Sequence, residues 1–307
     1  MIRDAVRDFC TAEIAPKAAD WDTHHTFPKD IHTQLGLLGC YGVMVPEAYG
    51  GAGLDAVSLS LIIEEIAAAD GGTSTAISVN NCPVCSILQA FGSEAQKKEF
   101  LVPLAQGQWL GAFCLTEPQA GSNAAEIRCA ARREGDDYLL NGVKQFITSG
   151  KNGQVAIVIA VTSDGPPNRR MSAFLVPTDT PGYIVARVEE KIGQHSSDTA
   201  QIIFENCRIP AQYRIGEEGQ GYKIALSGLE GGRIGIASQS VGMACGAYAA
   251  ALAYAQDRQA FGKPIFEHQA VQFRLADMAT QLEAARQLIW HAASLKDAGR
   301  PCMKEAA

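Results

Sequence analysis

Over roughly the first 110 residues, apolar positions recur at helical spacing. In MIRDAVRDF, Ile2, Val6 and Phe9 share one face of an amphipathic helix start. VSLSLIIEEIAAAD reads as a strong helix ended by Gly71 and Gly72, and Pro28, Pro46, Gly50, Gly51 and Gly53 punctuate the chain before it. SEAQKKEFLVPLAQG opens with Ser93 followed three residues later by Gln96, the pattern of a capping box, and carries Phe100, Leu101 and Leu104 into a core.

Near residue 110 the period changes to short β-rich runs, among them GAFCLT, VAIVIAVT, MSAFLVPT and TAQIIFENCRIP, separated by Gly, Asp, Asn and Pro. DYLLNGVKQFI predicts a hairpin turning at Asn141 and Gly142. Strands in series without intervening helices predict an antiparallel β-barrel or sandwich.

From about residue 218 the helical period returns. GYKIALSGLEGGRIGIASQSVGMACGAYAAALAYAQDRQ is dense in Gly, Ala and Ser, which let helices approach closely. Val271, Leu275, Met278, Leu282, Ala285 and Ile289 then form one apolar stripe. The expected plan is an α+β multidomain chain: an N-terminal helical domain over 1–110, a central β domain over 111–215 and a C-terminal helical bundle over 216–307. RPCMKEAA reads as the first turns of a Pro-initiated helix, and the expectation is that the bundle is truncated there.

Composition adds little against this plan. Hydrophobic residues are 47% and charged residues 19%, an ordinary globular balance. A net charge of -7, from 26 basic and 33 acidic residues, argues against a nucleic-acid partner. No apolar run approaches the roughly 20 residues of a membrane helix, and nine irregularly spaced cysteines suit a reduced cytoplasmic protein.

Several motifs have more than one reading. GAGLDA (51–56) fits a dinucleotide-binding fingerprint, but no strand pattern precedes it, so a glycine turn before a helix is favoured. Cys82-Pro83-Val84-Cys85 has redox spacing without βαβ surroundings, and buried or pocket-lining thiols are favoured. GEEGQGYK (216–223) lacks GK[ST] and reads as an interdomain turn. In RQAFG, Arg258 either complements a helix C-terminus or grips a phosphate, and composition does not separate the two. FCLTEPQAGSN (113–123) is either a plain β-turn or a strand end whose free amides, Thr116 and Ser122 hydroxyls and Gly121 suit a planar heterocycle.

Taken together, FCLTEPQAGSN, KQFITSGKN, GQHSSDT, LEGGRIGIASQSVG and DRQAFGKPIFEHQAVQFRLADM, in this order, closely resemble the acyl-CoA dehydrogenase family along nearly the whole chain. The resemblance implies a central barrel-like β domain, a four-helix C-terminal domain and an FAD between them. It places Phe113, Leu115, Thr116, Gly121, Ser122, Phe146, Ile147 and Thr148 at the flavin, with Phe146 where the family usually has Trp. It gives Arg258, Phe261 and Gln269 to the FAD of a neighbouring subunit, hence a homo-oligomer, expected to be a tetramer. Acyl-CoA contacts fall on Ser122, Ser197, Glu230, Gly231, Gly232 and Arg233, with Glu230 where Asp is common.

The chemistry implied is FAD-dependent α,β-dehydrogenation of an acyl-CoA thioester, of short- or medium-chain type, with electrons passed to an electron-transfer flavoprotein. One family branch carries its catalytic base just before the LEGGR arginine. Here Gly232 stands there, and the expectation is a base glutamate beyond residue 307, with no metal. The alternatives are a same-fold oxidase, monooxygenase or desulfinase, or a catalytically silent flavoprotein subunit.

Overall fold

The computed structural model describes residues 2–166 and 168–307. A helical layer comes first: α1 (Ile2–Phe9), α2 (Ala15–His24), α3 (Lys29–Leu37), α4 (Ala56–Ala69), α5 (Gly71–Val79), α6 (Ser86–Phe91), α7 (Glu94–Gln96) and α8 (Val102–Ala105). Val6 of α1 is buried, and Ile2 and Phe9 pack beside it. The Ser93–Gln96 capping box forms reciprocally at the start of α7. Asp55 and Asp70 cap α4 and α5 by accepting from Ser58 N and Thr73 N, which makes GAGLDA a glycine turn into a helix, preceded by a 3-10 turn rather than a strand.

Strands β1 (Gly111–Cys114), β2 (Ala130–Glu134), β3 (Asp137–Thr148), β4 (Val155–Val161), β5 (Met171–Pro177), β6 (Tyr183–Val188), β7 (Thr199–Pro210) and β8 (Arg214–Ile215) follow. Their order is β6-β7-β3-β2-β4-β5-β8, with β1 also on β4. Pairing is antiparallel except for β1 with β4 and a single β2–β4 pair, Ala130 with Val161. Phe174 of β5, Tyr183 of β6, Phe204 of β7 and Cys114 of β1 share one core, so the sheet curls around its own interior.

The run VAIVIAV is buried on both faces. Ala156, Val158 and Ala160 of β4 face that barrel core. Val155, Ile157 and Ile159 face α6, α8 and the helix that follows the sheet. A strand covered on both sides reads as a continuous hydrophobic stretch.

The predicted hairpin at Asn141–Gly142 does not form. β3 runs straight through both residues, and the turn lies between Glu134 and Asp137, where Gly135 has φ +63. Gly142 is required for another reason: a Cβ there would sit 2.6 Å from Cys129 Cα. A β-bulge beside it, between Leu140 and Gly142 in the pairing with β7, absorbs the irregularity.

The C-terminal part comprises α9 (Gly221–Asp257), a two-stranded ribbon of β9 (Gln259–Ala260) and β10 (Lys263–Pro264), α10 (Gln269–Asp297) and α11 (Met303–Ala306). By length and composition α9 could cross a bilayer, which the sequence reading missed because Ser, Gln and Gly dilute its apolar character. Its small residues instead seat it against α4: a Cβ on Gly242 would lie 2.4 Å from Glu64 O, and one on Gly246 would lie 2.3 Å from Ala68 O. Of the predicted α10 stripe, Leu275 is buried and Met278 is 41% exposed.

A charged cluster pins these helices together. Glu65 on α4 accepts from Arg3 Nε (2.6 Å) and Arg7 Nη2 (2.7 Å) of α1, and Glu64 accepts from Arg286 Nη2 (2.8 Å) of α10. Burial pushes the Glu65 carboxyl up, but its arginines outweigh this and hold it below the ordinary range.

Candidate active site

A cavity of about 410 Å³ opens where β1, β3, α5 and α9 meet. Its β wall is Phe113, Thr116, Phe146 and Thr148; Thr75, Ser78 and Val79 come from α5, and Cys82 and Pro83 follow them. Leu229, Gly232, Arg233, Ile236 and Gln239 of α9 close the other side.

The β wall has an unusual local shape. Three residues of β3 advance against two of β7 between Lys144 and Ile147, which breaks the in-out alternation. Lys144 and Gln145 are both buried, and Phe146 emerges 63% exposed with φ +58. A non-glycine residue in the left-handed region marks a site held by its surroundings. Gln145 N donates to Thr116 O (2.8 Å), which ties the bulge to the end of β1.

Residues 117–120 close on themselves, with Glu117 N donating to Ala120 O and Ala120 N to Glu117 O, each 3.0 Å. The Glu117 carboxylate lies beneath, accepting from Lys144 Nζ (2.8 Å), Arg128 N (2.7 Å), Cys129 N (2.9 Å) and Gln119 Nε2 (2.7 Å). Burial alone would raise its pKa, but Lys144 and the Arg128 and Cys129 amides lower it on balance.

On the helical wall, Gln239 is fully buried, with Nε2 within reach of Gly71 O (2.6 Å) and Ser74 Oγ (2.8 Å). Its Oε1 has no partner. Burial raises the Cys82 thiol, with Ser86 and Lys296 pulling the other way, so this cavity wall presents a neutral SH. Cys85 is buried behind it and is raised in the same direction. Among the described residues that border the cavity there is no carboxylate.

A second recess of about 390 Å³ shares Thr75 with the first and is bordered by Lys191, Ile192, Gly193, Gln194, Ser197 and Thr199. Ser197 is buried and its Oγ has no partner.

The structure distributes the anticipated residues unevenly. Phe113, Thr116, Phe146, Thr148, Gly232 and Arg233 meet at the cavity, and Ser197 at the recess beside it. Leu115 packs into the core between sheet and helices, so only its backbone is at the edge, and Ile147 lies inside the barrel. Gly121 and Ser122 are exposed, and a Cβ on Gly121 would meet nothing within 4 Å. Gly231 packs on Cys82, and Glu230 accepts from Cys302 Sγ (3.4 Å) without bordering the cavity. Arg258, Phe261 and Gln269 are exposed beyond the far end of α9. At about 1.5 Å per helical residue, Arg258 lies roughly 30 Å along the axis from Gln239.

Thr75, Ser78, Val79 and Gln239 border the cavity without having been picked out from the sequence. GGTSTAISVNNC carries several hydroxyls on one helical face, a signal too common to single out.

The polar groups left free fit a flat heterocycle carrying carbonyls and ring nitrogens. No hydrogen bond within the described residues engages the amides of Leu115 and Thr116, and Gln239 Oε1 is an unused acceptor.

Three family models cover nearly all of the chain: the acyl-CoA dehydrogenase N-terminal domain over residues 1–108, the middle domain over 112–207 and the C-terminal domain over 219–307. The mitochondrial short-chain specific acyl-CoA dehydrogenase of Mus musculus is 44% identical over all 307 residues, which span 74% of its length. A chain of the structure described as the electron transferring flavoprotein of Acidaminococcus fermentans superposes with TM-score 0.97 at 42% identity, over 100% of this chain and 80% of that one. Butyryl-CoA dehydrogenase from Megasphaera elsdenii gives TM-score 0.97 at 39% identity (99% and 81% covered). A glutaryl-CoA dehydrogenase from Mycobacterium smegmatis in complex with FADH2 gives 0.93 at 36% (99% and 77%).

Proposed function

Because this chain belongs to the acyl-CoA dehydrogenase family, we propose that it dehydrogenates a short straight-chain acyl-CoA, between the α and β carbons, and passes the electrons to an electron-transfer flavoprotein. It is an FAD-dependent oxidoreductase acting on acyl-CoA. The observation that carries the reading is the cavity itself: β1, the β3 bulge and α9, far apart in sequence, bring Phe113, Thr116, Phe146, Thr148, Gly232 and Arg233 to one space.

FAD supplies the acceptor for the hydride that leaves the β carbon. The protein's part is to hold the ring and the thioester and to keep water out. Phe113 and Phe146 give the β wall apolar faces, and the free Thr116 amide and hydroxyl donate to ring acceptors. Ile236, Leu229 and Val79 line an apolar space for a short acyl chain. Arg233 supplies a cation at the cavity edge for the anionic coenzyme. The Ser197 hydroxyl, buried and unpaired, serves the same ligand from the adjoining recess. Among the described residues none that borders the cavity is a carboxylate, so we give the α-proton role to none of them, and Glu230, which lies off the cavity, is not offered for it.

Arg258, Phe261 and Gln269 are too remote to touch a ligand in their own cavity. We assign them to the FAD of a second copy, in a tetramer. Nine cysteines without a disulfide support a reducing compartment such as the cytoplasm.

The test is anaerobic titration of the full-length protein, purified in its yellow form, with butyryl-CoA, hexanoyl-CoA and octanoyl-CoA. Bleaching of the flavin absorbance, strongest with butyryl-CoA, is expected. A protein that binds FAD but bleaches with none of the three would overturn the reading.

A further inference from the structure

The ammonium of Lys144 is wholly buried and does not border the cavity described above. It donates to Leu115 O (2.9 Å) and to Glu117 Oε1 (2.8 Å). Burying a charge pair costs desolvation that such a pair rarely repays in stability, so its place behind the cofactor-facing strand end calls for another account.

The peptide joining Leu115 and Thr116 supplies one. In a trans peptide the C=O and the next N–H point in opposite directions. With Leu115 O drawn inward to Lys144, the Thr116 N–H is turned outward, on the side where Thr116 borders the cavity. The next carbonyl, Thr116 O, is fixed by Gln145 N (2.8 Å). Glu117 in turn neutralises Lys144 and anchors the segment through Arg128 N and Cys129 N. Acceptors on this edge are therefore saturated from behind, and its donors are left free in front.

We propose that Lys144 and Glu117 form a positioning pair, which orients the Thr116 amide toward the bound flavin and thereby sets how strongly the site prefers reduced over oxidised cofactor. The inference rests on the proposed FAD site. An amide donor strengthens as its acceptor gains negative charge, so an amide aimed at the reducible ring favours the reduced form. Lys144 and Glu117 touch neither ligand nor reacting atoms and act only through that peptide.

The experiment compares wild type, Lys144→Met and the double variant Glu117→Gln/Lys144→Met, each measured for thermal midpoint, FAD dissociation constant and the two-electron midpoint potential of bound FAD. Lys144→Met is expected to weaken FAD binding about tenfold and to cut the preference for reduced flavin about tenfold, a shift of roughly 30 mV negative. It also loses thermal stability, because Glu117 is left as an uncompensated buried charge. The double variant removes both charges and regains stability, but Leu115 O still lacks its donor, so the potential stays shifted. Should Lys144→Met fail to fold, the double variant alone decides through its potential. A double variant with wild-type potential and FAD affinity overturns the proposal, and so does a folded Lys144→Met that loses stability alone. A wild-type protein that takes up no FAD would instead sink the reading on which the proposal rests.

Discussion

Replacing Gly242 with alanine tests how α9 is seated. The added Cβ would lie 2.4 Å from Glu64 O, 2.7 Å from Ala67 Cβ and 3.0 Å from Glu64 C. Ordinary contact begins near 3.4 Å, so α4 and α9 must part by about 1 Å, and the obstructing atoms are mostly backbone that cannot rotate away. Overpacking of this kind costs about 1–3 kcal/mol, and the upper end is expected because Glu64 also carries the Arg286 ion pair. Gly232→Ala on the same helix is the control: its Cβ would meet only Cys82 O at 3.8 Å, so the change relieves a helix-interior glycine and is worth up to about 1 kcal/mol of stabilisation. Urea unfolding of both variants, read from far-UV ellipticity, should place them on opposite sides of wild type. Equal midpoints for the two would refute the account of small residues as the seat of α9.

Three further outcomes follow from buried polar groups. His32 is 3% exposed, and burial holds its pKa down to about 3 against 6.5. The unfolded chain therefore binds the extra proton, and stability falls as pH drops below 6.5, by on the order of 2 kcal/mol at pH 5. In His32→Asn this part of the slope between pH 6.5 and 4 disappears from denaturation midpoints, and an unchanged slope would count against it. Arg286→Met leaves Glu64 as a buried carboxylate without its main partner and should cost about 3 kcal/mol, with Glu64→Gln/Arg286→Met recovering part of it; no recovery would show that the charge is not the cause. Among the nine cysteines only Cys245 is not fully buried. A disulfide reagent should therefore titrate one thiol in the native protein ahead of the rest, and Cys245→Ser should abolish that phase; two or more fast thiols would contradict the burial pattern.

The helix–sheet–helix order was legible because each part announces itself locally. The α1 face, the Ser93–Gln96 box and the doubly buried VAIVIAV run need only neighbours in sequence. The Asn141–Gly142 turn failed for the same reason: a dipeptide favouring a hairpin was overruled by β7 on one side and by Cys129 on the other, contacts that no local pattern encodes. Within the site, the motif residues of β1 and β3 were visible through the resemblance, but the Lys144–Glu117 pair was not. Its members are 27 residues apart, and each alone looks like an ordinary surface charge. Gln239 was hidden similarly, as one amide in a long small-residue helix.

The double burial of β4 has a bearing on how the protein comes apart. The barrel interior and the helical layer are two cores that share a wall, made by β4 and its neighbour β5, each of which sends alternate residues into one core and the other. Neither core can melt while the other keeps its wall intact, so the segments should lose structure together rather than in succession. A chain built from three sequence blocks would then behave, on heating or in denaturant, as a single cooperative unit.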